Sequence, residues 1–172
     1  AACDACGYAA NVELSKARPA VEPEAVSSSA PQPEDTPTPG IHSIDEVAEF
    51  LAVQPCAILK SLLYVADCKP WLVVLRGDDE INEVKLLKVV QAREGRLATD
   101  DEVSSVLGVH PGSVGPVGVQ VPIVVDEMVR GDVAYTAGSG RDDFHTRNVV
   151  FGRDFVATVT AASAPLASAL AQ

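Results

Sequence analysis

Lys60 interrupts an otherwise apolar run, AILKSLLYVA at residues 57–66, and an ammonium in such a run has few roles open to it. It either snorkels to water from an alternating, half-exposed strand position or presents its charge to a specific anion. Proton transfer near neutral pH would fall to one of three histidines, His42, His110 or His145. His145 follows a turn-rich stretch and precedes an apolar one, where a structural role and a site role are both open. Asp126 ends the run PIVV, either as a strand-terminating turn residue or as a carboxylate aimed into a site. Cys3-Asp-Ala-Cys6 has the spacing of half a zinc site, but no second Cys or His pair follows at suitable spacing, so no metal site is expected. Ser113 has its neighbouring glycines at the wrong offsets for a nucleophile elbow, and neither a Walker loop nor a dinucleotide glycine fingerprint is present. No cofactor is expected.

The elements that must position these residues can be read from spacing. Ser43-Ile-Asp-Glu46 is a capping box that opens a helix with Ile44, Val47, Ala48 and Leu51 on one face, closed by Pro55. Residues 57–66 and 71–76 read as two strands across the turn Asp67-Cys-Lys-Pro70. Residues 83–90 form a short helix, and Thr99-Asp-Asp-Glu102 caps another that ends at Gly108. Four glycines and two prolines within residues 108–118 predict a shaped loop. Residues 122–129, 133–137 and 148–151 complete the strands, the last after the turn-rich stretch 138–143. Strands mixed with scattered short helices, with no regular βαβ alternation, predict an α+β fold: a mixed sheet with short flanking helices in one domain.

Residues 19–39 hold six of the twelve prolines and no aromatic, which predicts an extended or mobile linker, with the dense domain starting at Gly40 and running to residue 157. Residues 158–172, alanine-rich, read as a return segment or a C-terminal helix. The 172 residues, 47% of them hydrophobic, suffice for one well-cored domain. No apolar run reaches the roughly 18 residues of a membrane span and no signal peptide is recognisable, which predicts a soluble chain with no membrane partner. Four cysteines, two of them read as packing in apolar stretches, suggest reduced thiols and a cytoplasmic setting. Opening on Ala1, the chain reads as an excerpt of something longer. The net charge of -11 argues against nucleic acid held by this chain's own field.

Taken in order, seven stretches resemble the editing domain inserted into bacterial-type prolyl-tRNA synthetases, a family whose free-standing relatives are aminoacyl-tRNA deacylases. They are CDACGYAANVE (3–13), TPGIHSIDEVAEFL (38–51), ILKSLLY (58–64), LRGDDEINEVKL (75–86), PGSVGPVG (111–118), IVVDEMV (123–129) and FHTRNVVFGRD (144–154). The first resembles the flank of the synthetase catalytic core and accounts for residues 1–18. The stretch GSGRDDF before His145 departs from the family pattern, which carries an asparagine and a glycine nearer the histidine. No ATP-binding signature is recognisable, so the chain alone is not expected to charge tRNA.

The resemblance implies hydrolysis of alanine misesterified to proline tRNA. By family position Ile44 and Val47 would line a small pocket, with Lys60 beside it holding the terminal adenosine's phosphate or the ester region. The motif Gly112-x-x-x-Pro116, which takes in Ser113 and Gly115, would grip the 3′ end with backbone N–H groups and stabilise an oxyanion. His145 would be a site histidine, as general base or as a positioning group, and Asp126 an acidic site residue. The implied partners are the aminoacylated 3′ end of tRNA(Pro) and the rest of a synthetase, its class II catalytic core and anticodon-binding domain. A free-standing deacylase acting on another aminoacyl group such as cysteine, and a degenerate insertion that only stabilises a synthetase, are the alternatives. Compatibility with the acidic charge requires that the tRNA body be bound elsewhere and only its flexible end enter this domain.

Overall fold

Ser43 and Glu46 close the capping box reciprocally: the Glu46 carboxylate accepts from the Ser43 N–H at 3.0 Å and the Ser43 hydroxyl accepts from the Glu46 N–H at 3.3 Å. The helix they open, α1, runs Ile44–Leu51. It stops on Ala52, which takes a left-handed φ of 52°. Pro55 therefore does not end the helix; it begins a separate 3₁₀ turn, Pro55–Ala57, that leads into the sheet. These details come from a computed structural model that describes residues 30–161 together with Pro23 and Ala25. The Cys3-x-x-Cys6 pair, the segment 1–18 and residues 162–172 lie outside the described residues.

The remaining elements are β1 (Glu34–Pro37), β2 (Ile58–Ala66), β3 (Lys69–Arg76), α2 (Glu83–Val89), β4 (Gly95–Leu97), α3 (Asp100–Leu107), β5 (Ile123–Val125), β6 (Tyr135–Gly138), β7 (Phe144–Val149) and β8 (Val159–Thr160). The eight strands form one mixed sheet in the order β1-β7-β6-β2-β3-β5-β8, with β4 also paired to β2. β2 and β3 form the predicted hairpin, antiparallel along its whole length, while β2/β6, β3/β5 and β5/β8 are parallel. Asp67 and Cys68 at the hairpin tip both have positive φ, as a two-residue loop between twisted strands requires. Cys68 is thus exposed on a turn instead of packed in an apolar stretch; Cys56 is buried.

The apolar run of β3 explains its central place. Leu72, Val73, Val74 and Leu75 are all fully buried, which a strand with only one covered face would not allow. One face of the sheet packs Leu59, Leu63, Val74, Val125 and Tyr135 with Val103 of α3; the other packs Val73, Leu75 and Val124 with Leu86 of α2. A smaller cluster joins Val47 and Leu51 of α1 to Ile58 at the start of β2. This is the α+β architecture of mixed sheet and short flanking helices. Among the described residues no helix is long and apolar enough to cross a membrane.

Three differences from the sequence reading bear on the site. The proline-rich stretch ends in a strand: β1 pairs with β7, placing Thr36 opposite His145. Strand β7 starts at Phe144, so His145 lies inside a strand instead of before one. The segment 122–129 supplies only a three-residue strand, after which Asp126 turns the chain by accepting from the Met128 N–H at 2.8 Å.

Candidate active site

The first turn of α1, the start of β2 and the loop after α3 enclose a cavity of about 220 Å³. Ile44 and Val47 of α1, Ile58 and Lys60 of β2, Gly112 and His145 all line it. At this size it falls below the roughly 300–1,000 Å³ of pockets that take a drug-sized molecule, and it suits a small group. The helix phase puts Ile44 and Val47 on one side of α1, and the strand phase puts Ile58 and Lys60 on one side of β2. Two local sequence patterns, a capping box and an alternating strand, thus combine to make an apolar wall with one cation on its rim.

Lys60 has its ammonium donating to the Asp79 carbonyl at 2.8 Å and to the Glu80 carboxylate at 3.2 Å. Its side chain is 19% exposed, so the charge sits at the cavity mouth and is not sealed in. The loop that meets it follows Arg76, whose fully buried guanidinium donates to Asp78 at 2.9 Å and also pairs with Asp79. Burial and the neighbouring Asp78 push the Asp79 carboxyl up to about 6, with Arg76 and Lys60 pulling the other way. Gly77 lets this loop lie against α1, since a Cβ there would come within 2.6 Å of the Pro55 carbonyl and 2.9 Å of Ile44.

His145 is 4% exposed. Its Nδ1 shares a 2.7 Å hydrogen bond with the Thr38 hydroxyl, which leaves Nε2 as the ring atom to meet a ligand. Burial, reinforced by His42, lowers its pKa from the ordinary value of 6.5, so the ring is neutral at pH 7. A histidine with a lowered native pKa binds fewer protons folded than unfolded. Its contribution to stability is therefore fully present above the unfolded pKa and is lost as pH falls from there through the lowered native pKa. His110 is shifted the opposite way by its 2.7 Å contact with Asp142. In an NMR titration of the imidazole signals His145 is expected to titrate below 6.5 and His110 above it; the reverse order would contradict the burial argument.

The glycine-proline loop enters the site with Gly112 and Val114. Gly112, at φ +95°, lines the cavity, and a Cβ there would lie 2.8 Å from that of His42. Ser113, Gly115 and Pro116 are buried behind it and do not line the cavity. Their part is structural: the Ser113 carbonyl accepts from the Gly140 N–H at 3.0 Å, and Gly115 crosses Gly138 backbone to backbone. Asp126 also stands apart. It is fully buried at the end of β5, and its charge acts on Asp79 and Lys85, outside the group of residues that faces the cavity. Among the described residues no cluster of His, Cys, Asp and Glu could hold a metal ion.

Sequence reasoning missed His42, Val114 and Gly138 of the cavity lining, and Thr38, which holds the His145 ring. His42, three residues past the proline-rich stretch, lines the cavity because it directly precedes the N-cap of α1. Thr38 carries no local signal, because its partner His145 is 107 residues away.

Residues 38–155 match the aminoacyl-tRNA editing domain family. The chain belongs to that family, and is thereby a hydrolytic deacylase domain rather than an ATP-dependent ligase in its own right. Its curated relatives are more particular. It is 40% identical over 157 residues to the proline–tRNA ligase of Geobacter sulfurreducens and 42% identical over 154 residues to that of Levilactobacillus brevis. The matches cover 91% and 88% of this chain but only 27% of each ligase, so the chain spans about a quarter of the relatives' length. A solved structure described as a trans-editing enzyme for prolyl tRNA synthetase superposes with a TM-score of 0.60 at 25% identity, over 67% of this chain and 74% of that one. A second solved structure, at 22% identity and a TM-score of 0.63, covers 74% of this chain and 91% of its own and shares the fold.

Proposed function

We propose that this domain hydrolyses alanine from mischarged alanyl-tRNA(Pro), as the editing part of a cytoplasmic proline–tRNA ligase. The observation that carries the reading is the convergence of Ile44, Val47, Lys60, Gly112 and His145 on one small cavity. A synthetic pocket that fits proline cannot exclude the smaller alanine, because a few absent methylenes yield only about 1 to 3 kcal/mol each of discrimination. A second pocket that takes a methyl group and refuses the pyrrolidine ring supplies the missing selectivity. The relatedness to proline–tRNA ligases and to a trans-editing enzyme supports tRNA(Pro) as the carrier.

In this reading the alanyl methyl lies against Ile44 and Val47, and Lys60 takes the phosphate or ester region of the terminal adenosine. Water attacks the ester carbonyl, the C–O bond to the ribose breaks, and the released ribose oxygen takes up the proton. Neutral His145, fixed through Thr38, offers Nε2 to the attacking water or to the ribose hydroxyl that activates it. Backbone N–H groups about Gly112 meet the oxyanion. The rest of the ligase, its catalytic core and anticodon-binding domain, holds the tRNA body.

The test is to incubate the chain with alanyl-tRNA(Pro) and prolyl-tRNA(Pro): alanine is released and proline is retained. No hydrolysis above buffer at high protein concentration would remove the proposal. Ile44→Ala sharpens it, since removing the wall should raise hydrolysis of prolyl-tRNA(Pro) by about tenfold or more. Full protection of proline in that variant would take Ile44 out of the sieve.

A further inference from the structure

The Lys60 ammonium already spends two donors inside the protein, one on the Asp79 carbonyl and one on the Glu80 carboxylate. These contacts differ in kind. The carbonyl belongs to a loop anchored from beneath by the buried Arg76, which holds Asp78 and Asp79. The Glu80 side chain is 65% exposed and reaches back to Lys60 from solvent. It is not required by the capping or packing of any element described above. A carboxylate against the ammonium at the mouth of the cavity occupies the position that an incoming phosphate oxygen would take, since both satisfy the same N–H donors at the same distance.

We infer that Glu80 is an anionic latch on Lys60, a positioning residue that the 5′-side phosphate of the terminal adenosine must displace before the aminoacyl group can seat. The inference rests on the proposed editing function for its ligand. The two loop contacts divide the work: the Asp79 carbonyl keeps the ammonium aimed, and Glu80 sets how strongly an anion must compete for it. In an acidic chain of net charge -11, such a latch confines RNA binding to ends that deliver a phosphate to this one point.

Breaking an exposed ion pair costs little, so the latch should lower affinity by about two- to fivefold. The experiment compares the unaltered chain, Glu80→Gln and Glu94→Gln. The last makes the same charge change at the strand β4 end of the hairpin, away from the cavity. Binding of the trinucleotide CpCpA is measured by titration, and KM and kcat are measured with alanyl-tRNA(Pro). Glu80→Gln is expected to bind CpCpA about two- to fivefold tighter and to lower KM with kcat unchanged, with Glu94→Gln like the unaltered chain. Equal CpCpA affinity in both variants, no CpCpA binding by any of the three, or a fall in kcat at unchanged KM in Glu80→Gln would each overturn the latch. Tighter CpCpA binding by Glu80→Gln with no hydrolysis of alanyl-tRNA(Pro) by any of the three would leave the latch standing and remove the editing reading.

Discussion

Lys60→Ala is expected to give a folded protein whose deacylation rate has fallen by at least about a hundredfold, the usual cost of removing one preorganised electrostatic contact from a reacting centre. The folded state should survive because the ammonium sits at the cavity mouth, and its contacts are one backbone carbonyl and one exposed carboxylate. Losing such a pair costs no more than about 1 kcal/mol. Lys60→Arg discriminates between charge and geometry. The guanidinium keeps the charge but is a planar fork where the site presents one carbonyl and one carboxylate to a compact head. Partial activity in the arginine variant would assign the residue's role mainly to charge; activity of the alanine variant equal to that of the unaltered chain would remove Lys60 from the mechanism.

Gly115→Ala is expected to be the most damaging single change to the fold around the site. A Cβ at this position would stand 1.6 Å from the Gly138 carbonyl oxygen, and the reciprocal Cβ at Gly138 would stand 2.3 Å from the Val114 carbonyl. Neither contact can be relieved by turning a side chain, because both neighbours are backbone. The loop must move off β6, and overpacking of this kind costs about 3 kcal/mol. Since Gly112 and Gly138 both line the cavity, the displacement should abolish hydrolysis along with stability. Gly118→Ala is the comparison: its φ of +77° strains an alanine, yet nothing lies within 4 Å, so a loss of about 1 kcal/mol is expected. Denaturant titration of the two variants checks the order, and equal losses would mean that the crossing of Gly115 and Gly138 is not a tight one.

What could be read from the chain was local. Both capping boxes are complete within four residues, and the β2–β3 hairpin is announced by two apolar runs across a short polar turn, so α1, α3 and the hairpin stand where expected. Strands β4 and β8, of three and two residues, are too short to impose a period and went unseen. The start of β7 was misplaced because residues 145–148, His-Thr-Arg-Asn, are all polar and show no apolar alternation that would extend the strand back to Phe144. Proline content hid β1, which contains Pro37 and is flanked by Pro33 and Pro39, and which survives them because it is an edge strand paired only to β7. Of the site, Ile44, Val47, Lys60 and His145 were named by resemblance, and the cavity brings them together. The loop motif was read as substrate contacts at Gly112, Ser113, Gly115 and Pro116, whereas Gly112 and the unnamed Val114 line the cavity and the other three lie behind them. No sequence pattern expresses that distinction, because it depends on Gly138 approaching from a strand that follows later in the chain.

The bond between Thr38 and the His145 ring has a kinetic meaning. It spans 107 residues and joins the residue that follows β1 to strand β7, so it closes a loop that contains nearly the whole domain. Contacts of such separation are entropically costly to form before the intervening chain is ordered. The helices and the hairpin can assemble from near neighbours, but the imidazole gains its orientation only when β1 docks on β7. Competence for chemistry is in this sense a late event of folding, and a chain that has acquired its central strands and helices would still lack an aligned histidine.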